Sequence, residues 1–275
     1  AVEFAGITRE EKISVVRKEM EAREADFQLL TSPDDIMWLL NIRANDVHYS
    51  PLMISWAIVT MDQILLFADQ TRIPPRMASE FDRQGIVLLP YDEVRSVLES
   101  LPVSSSLLFS PQAVSAAIYH SLNEKIRIIE GLTIPARLKS VKNSTEIANI
   151  RNVMIRDGVA LVRFFMWLEK AVEKERITET GAARMLRELR LKQYNCTGES
   201  FPAIVAFNEH SALPHYSPDD HGETGIGEPG VLLIDSGGQY LDGTTDVTRC
   251  IALGKPSSRQ KEDFTLALKG TIAIA

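Results

Sequence analysis

The chain has 275 residues, of which 45% are apolar, and its formal net charge is −7 at pH 7. This length can bury one large hydrophobic core or two ordinary ones, and it favours two domains. The negative charge argues against a general binder of nucleic acid or of membrane surfaces, because such proteins need a basic face to attract phosphate. Small molecules or peptides fit the charge better as partners.

The cysteines and the hydropathy pattern bear on the compartment. Cys196 and Cys250 are the only cysteines, and they lie in different sequence neighbourhoods. They predict neither a disulfide framework nor a thiolate metal site. The sequence shows no signal peptide and no apolar run long enough to cross a bilayer. We therefore expect a cytoplasmic protein without a membrane span.

The first part of the chain predicts alternating strands and helices. Thr8 and Glu11 form a capping box that starts a helix, and Ser32 followed by Pro33 starts another. The predicted strands span residues 27–30, 55–60, 64–68, 86–89, 107–109 and 126–129. This alternation predicts an α/β domain with a mixed sheet over residues 1–138, which ends in a connector at 131–138.

A second predicted domain covers residues 139–275. Asn143 opens a helix by another capping pattern, and apolar residues at helical spacing continue it to about Val172. Thr178 caps a further helix that runs to about Gln193.

The most informative stretch of this second domain starts with an apolar run at 231–234 that ends on Asp235. Ser-Gly-Gly follows, which predicts a buried strand and then a tight turn that uses the backbone freedom of glycine. Asp242-Gly243 predicts a hairpin, and the β-branched residues after it predict a further strand. We therefore expect Asp235 and Asp246 to face each other on neighbouring strands.

Two carboxylates held in apolar surroundings repel each other unless a cation lies between them. Oxygen ligands suit hard ions such as Mn or Mg, and a pair of such ions about 3.5 to 4 Å apart is a known hydrolytic arrangement. The alternative is that these aspartates are turn formers and solvated strand ends. The residue types alone leave both interpretations open.

A family resemblance favours the metal. The segment Asp-Ser-Gly-Gly-Gln-Tyr-Leu-Asp-Gly-Thr-Thr-Asp-Val-Thr-Arg, residues 235–249, resembles the first metal-binding segment of the Xaa-Pro aminopeptidases (aminopeptidase P). These enzymes belong to the creatinase/prolidase/methionine aminopeptidase superfamily. The resemblance implies that Asp235 and Asp246 bind a pair of divalent ions, usually manganese. It does not assign Asp242 as a ligand.

The resemblance also singles out one histidine. The family has a Phe-Pro-X-Ile-Val segment and then a His-Tyr pair ahead of the first metal aspartate, and this chain has the same pattern at 201–205 and at His215-Tyr216. It implies a catalytic role for His215, near the metals, in orienting the substrate or the anionic intermediate. His210 and His221 have no counterpart, and we predict that they are loop residues.

The resemblance extends over nearly the whole chain, including the loop at 41–51, which is similar to the family's Leu-Arg-Gly-Ser-Asp-Val loop. Larger family members have three domains. Residues 1–138 resemble the second, a creatinase N-terminal-like α/β domain, and residues 139–275 resemble the first half of the catalytic "pita-bread" domain. A histidine and two glutamates complete the family's metal site and would follow Ala275. We therefore expect a fragment of a longer protein, and a homodimer for the full-length form.

The function implied by the resemblance is a metal-dependent aminopeptidase acting on peptides with proline in second position. A hydroxide bridging the two metals attacks the scissile carbonyl, with a glutamate from the missing half as general base. The fragment alone is expected to be inactive. The alternatives are a prolidase, which cleaves Xaa-Pro dipeptides, a metal-free creatinase-type enzyme, which lacks the aspartate pair, and a non-catalytic pita-bread module that binds peptides.

Overall fold

The computed structural model describes residues 2–217 and 224–275. The chain divides into two compact units, Ala1–Ile147 and Ala148–Ala275. This division falls later in the chain than the predicted boundary after residue 138.

The first unit is a mixed six-stranded sheet flanked by helices. The strand order is β4-β3-β2-β1-β5-β6, in which β2 runs antiparallel to its neighbours β1 and β3, and all other neighbouring strands are parallel. The strands are β1 Phe27–Leu30, β2 Ser55–Val59, β3 Ile64–Ala68, β4 Ile86–Pro90, β5 Ser106–Phe109 and β6 Arg127–Glu130. The helices are α1 Val2–Ala5, α2 Arg9–Ala22, α3 Pro33–Leu40, α4 Pro75–Arg83, α5 Val94–Glu99, α6 Ala116–His120 and α7 Ile134–Ser140.

The predicted capping box at the start of α2 is confirmed. The Glu11 amide donates to the Thr8 hydroxyl at 3.1 Å, and the Thr8 amide donates to the Glu11 carboxylate at 2.8 Å. Two basic residues of the same helix are buried, because they donate to carbonyls at the end of α3. Arg9 Nε lies 2.6 Å from the Leu40 oxygen, and Lys12 Nζ lies 2.8 Å from the Trp38 oxygen. The Leu40 carbonyl lies in the last turn of α3, where a helix leaves carbonyls without an intrahelical donor, whereas the Trp38 carbonyl also accepts from the Asn41 amide at 3.4 Å.

Each face of the sheet supports its own hydrophobic core. Successive side chains of a strand point to opposite faces. Leu30 and Val59 therefore join the core that includes Ile36 and Met20, whereas Leu29 joins a separate core with residues of α5 and β5.

The segment predicted as a connector contains helix α7, so that prediction was wrong. Thr133 accepts a hydrogen bond from the Ala136 amide at 3.2 Å, and Pro135 occupies the first turn, which together give a helix start. Ile134 is fully buried in the core of the first unit, and Lys139 forms a 2.6 Å ion pair with Asp35. These contacts explain why the first unit continues past residue 138.

The second unit combines helices with small antiparallel sheets. Their strand orders are β14-β11-β9, β13-β12-β8 and β10-β7. The helices are α8 Ser144–Ala171, which begins in the first unit, α9 Glu179–Leu191 and α10 Ser258–Ile274. The strands are β7 Ile177–Thr178, β8 Cys196–Glu199, β9 Ile204–Phe207, β10 Gly225–Ile226, β11 Gly230–Ser236, β12 Gly238–Tyr240, β13 Gly243–Thr244 and β14 Val247–Leu253.

The core of the second unit lies between helices α8 and α9 and the β14-β11-β9 sheet. Phe164 of α8 and Leu186 of α9 pack with Val205, Leu232 and Ile234, and all five side chains are fully buried. No helix in the ranges 2–217 and 224–275 combines the length and the apolar character that a bilayer crossing requires.

Candidate functional site

Asp235 lies near the end of β11, the central strand of its sheet. The strand alternates in burial, and Leu232, Ile234 and Ser236 point into the protein. Asp235 therefore points to the opposite face, where it is half-buried. On that face it is paired with Thr248 of β14 and Ile204 of β9. The Thr248 hydroxyl donates to the Asp235 carboxylate at 2.7 Å.

Asp246 immediately precedes β14, two residues before Thr248, and the residues on either side of it, Thr245 and Val247, are buried. Thr248, rather than Asp246, is the partner of Asp235 across the ladder, so the two aspartates do not pair directly. Asp246 is exposed, so the expectation of apolar surroundings was wrong there. Because water can solvate the exposed Asp246 carboxylate, its charge does not require a bound cation.

Asp235, Asp246 and Thr248 offer two carboxylates and a hydroxyl, which are oxygen groups of the kind that suits a hard divalent ion. Among the residues that the structure describes, however, no group of three or more His, Cys, Asp or Glu side chains could hold a metal ion. Asp235 and Asp246 therefore fit a metal site only together with further ligands.

The glycines after β11 are required for space. Neither Gly237 nor Gly238 has a positive φ. The prediction that this turn uses the backbone freedom of glycine was therefore wrong. A Cβ at Gly237 would overlap the carbonyl oxygen of Thr245. Ser200 Oγ donates to that same oxygen at 2.8 Å, and the Gly238 amide donates to the Thr245 hydroxyl at 2.9 Å. This corner holds the end of β11 against the residue that precedes Asp246.

Asp242 has a structural partner. It lies in the two-residue turn between β12 and β13, and its side chain is 8% exposed. Both of its oxygens bind Arg156 Nη2 of α8, at 2.7 and 2.8 Å. Gly243 starts β13, and a Cβ there would come within 3.2 Å of Val153 of α8. The hairpin that connects Asp235 with Asp246 is therefore tied to α8.

The next residue of α8, Asp157, contacts strand β12 of this hairpin. Asp157 is fully buried and forms an ion pair with Arg190 of α9, with Nε to Oδ1 at 2.8 Å and Nη2 to Oδ2 at 3.1 Å. The Tyr240 hydroxyl donates to the same carboxylate at 2.9 Å. Burial and the neighbouring Asp157 raise the pKa of the Tyr240 phenol, which therefore remains a protonated donor. No local sequence pattern reveals this network, because its members are far apart in the chain.

His215 is exposed and has a left-handed backbone, with φ of +55°. In the part of the chain that the structure describes, no hydrogen bond joins it to Asp235 or Asp246. A cavity of about 520 Å³ lies beside it, lined mainly by apolar groups that include Phe201, Pro202 and Ile204. The cavity thus borders β9 at Ile204, the residue that pairs with Asp235 of the neighbouring strand β11.

His210 belongs to a buried cluster. It lies in the short 3-10 segment Asn208–Ala212, and its Nδ1 contacts both carboxylate oxygens of Glu179, at 3.0 and 3.2 Å. The predicted loop position is thus irregular backbone, yet the ring has a defined partner. His221 lies outside the described residues.

Comparison with known proteins identifies the family. Residues 1–146 match the creatinase/prolidase N-terminal domain, a match that covers more than half of the chain. The chain belongs to the creatinase/prolidase family. The second unit of this creatinase/prolidase chain corresponds to a further match, because residues 148–275 match metallopeptidase family M24.

The curated relatives of this creatinase/prolidase chain are named as aminopeptidases. A probable Xaa-Pro aminopeptidase P of Verticillium alfalfae is 37% identical over 98% of this chain and 46% of that protein. Xaa-Pro aminopeptidase 1 of Dictyostelium discoideum is 32% identical over 99% of this chain and 44% of that protein. The chain therefore spans about half the length of the curated relatives that it matches.

Solved structures agree with the fold of this creatinase/prolidase chain. The X-prolyl aminopeptidase of Caenorhabditis elegans, described as a cytosolic enzyme with a di-nuclear active site, superposes with a TM-score of 0.90 at 32% identity. The overlap covers 94% of this chain and 43% of that one. A Xaa-Pro dipeptidase of Bacillus anthracis shares the fold, with a TM-score of 0.70 at 21% identity over 96% of this chain and 71% of that one. The predicted family resemblance and the predicted α/β fold with a pita-bread segment are confirmed.

Proposed function

We propose that the protein containing this chain is a metal-dependent aminopeptidase that releases the N-terminal residue from peptides with proline in second position. The observation that supports this proposal is the pairing of β11 with β14, in which Asp235 lies opposite Thr248, two residues after Asp246. The similarity to Xaa-Pro aminopeptidases over 98% of the chain supports the substrate class.

Asp235 and Asp246 are the proposed metal ligands of this chain, and manganese is the proposed ion. Their carboxylates supply oxygen ligands of the kind that hard divalent ions prefer. A pair of such ions, when bound, would lower the pKa of a water molecule toward neutrality, and the ions would also polarise the scissile carbonyl. Thr248 holds the Asp235 carboxylate in one orientation through its 2.7 Å hydrogen bond, and the hairpin tied to α8 sets the spacing to Asp246.

His215 is the proposed catalytic residue that donates a hydrogen bond to the oxygen on which negative charge develops. Its exposed side chain beside the 520 Å³ cavity is available to a bound peptide. Removal of one such donor typically costs about 2.7 to 4 kcal/mol of transition-state stabilisation. His215→Ala should therefore lower turnover and leave the metal content unchanged. Loss of metal from this variant would make His215 a ligand instead.

We also propose that the protein acts in the cytosol, as the C. elegans enzyme does by its description. The homodimer expected from the family resemblance remains a prediction. Light scattering on the protein that contains this chain would test it, since it reports the mass in solution.

A pair of peptides tests the proposed function directly. The protein that contains this chain is loaded with Mn and given an Xaa-Pro-Xaa tripeptide beside an Xaa-Pro dipeptide. Release of the first residue from the tripeptide, abolished by a chelator, is the expected result. Cleavage of the dipeptide alone would establish a prolidase. Peptide binding without cleavage of either substrate would establish a non-catalytic module.

A further inference from the structure

Glu179 is a buried carboxylate at the start of α9, and its side chain is 0% exposed. It accepts hydrogen bonds from three groups of the segment 207–216, which precedes β11, the strand that carries Asp235. The Tyr216 hydroxyl lies at 2.5 Å, the Phe207 amide at 2.7 Å and His210 Nδ1 at 3.0 Å. These donors come from residues 207–216, whereas Glu179 belongs to a different element.

The surroundings of Glu179 compensate for the burial of its side chain. A buried charge without partners is costly, but Glu179 has several donors and lies in the first turn of a helix, where the dipole favours negative charge. Burial and the neighbouring carboxylate raise the pKa of the Tyr216 phenol, which therefore stays protonated and donates. The rings of His210 and Tyr216 also stack, with centroids 4.5 Å apart and an interplanar angle of 28°.

His215 is joined directly to this cluster, because it precedes Tyr216 in the chain. Its left-handed backbone, at φ +55°, is costly for a residue other than glycine, by about 1 to 3 kcal/mol, and persists only where the surroundings impose it. No hydrogen bond within residues 2–217 and 224–275 holds the exposed His215 ring itself. Tyr216 is the buried neighbour that can impose this conformation.

We propose that Glu179 is a positioning residue for His215. Its carboxylate fixes Tyr216 and His210, and the fixed Tyr216 holds the preceding residue in the conformation that presents the His215 ring beside the cavity. This inference rests on the proposed role of His215. Glu179 itself does not touch the substrate.

Histidine labelling tests the positioning step without any need for catalysis. The chain has five histidines, so a spectrum of selectively labelled histidine amides and rings contains few signals. Glu179→Gln replaces one accepting oxygen with a donating amide, so that at least one of the three donors loses its acceptor. The expected result is that the signals of His210 and His215 both shift and broaden, while those of His48 and His120 in the first unit stay unchanged.

Two further variants make this spectrum decisive. Glu199→Gln is the matched control, because Glu199 is a half-buried carboxylate of the same unit whose partner, Arg187 at 3.4 Å, lies outside this cluster. It should leave the His215 signal in place. Tyr216→Phe keeps the stacked ring and removes only one donor, so it serves if Glu179→Gln does not fold. A His215 signal that keeps its position and width in both cluster variants would overturn the proposal.

Kinetics then test whether the effect passes through His215. In the protein that contains this chain, Glu179→Gln should lower kcat by about tenfold to a hundredfold, with KM and metal content unchanged. The same change made in a His215→Ala background should cause no further loss. Additive losses would show that Glu179 acts by another route. Absence of proline-directed activity from the unaltered protein would defeat the proposed function, while the spectroscopic result would still decide the positioning role.

Discussion

At the scale of single residues, the proposed chemistry depends on side chains that contribute little to folding. Asp246 and His215 are exposed, and Asp235 is half-buried on the face of β11 that points away from the core. The residues that hold them are buried, including Thr245 and Tyr216. Substitution of an exposed functional residue should therefore change metal binding or rate with little effect on stability.

Asp246→Asn tests this separation. It removes one metal-binding charge and preserves side-chain size, so metal content and activity of the protein that contains this chain should both be lost. The thermal midpoint should stay near that of the unaltered protein, because an exposed side chain packs against little. Metal analysis and calorimetry provide the two readouts. Asp263→Asn, on the exposed helix α10, is the matched control and should keep its metal. Near-native turnover and metal content in Asp246→Asn would refute the assignment.

Lys12 predicts a pH dependence of stability in the first unit. Burial lowers the pKa of this lysine to about 8, with nearby Glu146 opposing the shift. The pKa in the unfolded chain is near 10.5, so between pH 8 and 10.5 the unfolded state binds more protons than the folded state. The contribution of Lys12 to stability should therefore rise with pH across this window. The neutral amine can still donate to the Trp38 carbonyl and to Asn41 Oδ1.

Lys12→Met removes this titration. Urea unfolding followed by tryptophan fluorescence, at several pH values from 7 to 10, should show a stability difference from the unaltered chain that changes with pH. Trp38 lies 4.0 Å from the Lys12 ammonium and reports on this region. Parallel pH profiles for the two chains would contradict the lowered pKa.

At the scale of elements, the arrangement of β11, β12 and β14 depends on close backbone contacts and on α8. Gly237 lies against the Thr245 carbonyl, and consecutive α8 residues bind the turn and the β12 strand of the following hairpin. Removal of one partner of a buried ion pair such as Asp157–Arg190 costs about 3 to 5 kcal/mol, because the other charge stays buried and unpaired. The spacing of the two aspartates is thus determined by elements distant in sequence.

Gly237→Ala tests the corner between β11 and β12. The new methyl group would overlap the Thr245 carbonyl and Ser200 Oγ, so the backbone must shift. We expect a loss of about 1 to 3 kcal/mol in the free energy of unfolding. Gly158→Ala is the control, since Gly158 lies within α8 and a Cβ there meets nothing within 4 Å. That change should be neutral or stabilising by up to about 1 kcal/mol. Equal effects of the two substitutions, measured by urea unfolding, would exclude the steric explanation.

At the scale of the whole molecule, the described residues form two units, and the proposed metal ligands all lie in the second. Two aspartates supply too few ligands for a pair of ions, and no larger group of metal-binding side chains occurs among residues 2–217 and 224–275. The chain matches the creatinase/prolidase N-terminal domain and metallopeptidase family M24, but the relatives are about twice as long as this chain.

The 275-residue chain by itself should therefore bind Mn weakly and cleave no peptide. Each ion would keep most of its water molecules, because the chain offers few protein oxygens to replace them. Calorimetric titration with Mn and an Xaa-Pro-Xaa assay on the isolated chain measure both properties. Micromolar binding of two ions per chain, or proline-directed cleavage, would show that the site is completed in another way, for example by a second copy.

The sequence by itself determined the features that depend on neighbouring residues. The capping box of α2, the strand ending at Asp235 and the mixed α/β character follow from local hydrogen bonds and from hydrophobic periodicity, which short segments encode. Helix α7 also has a local signal, the Thr133 cap with Pro135 behind it, which the sequence analysis did not use.

Only the tertiary structure decided which residues hold the candidate site. Glu179 looks like an ordinary first-turn glutamate, and Asp242 like a turn former, until the fold brings Tyr216 to one and Arg156 to the other. The reason for Gly237 is the nearby carbonyl of Thr245, which no local pattern reveals. Such contacts join residues many positions apart, and their energies depend on burial that exists only after the chain has folded.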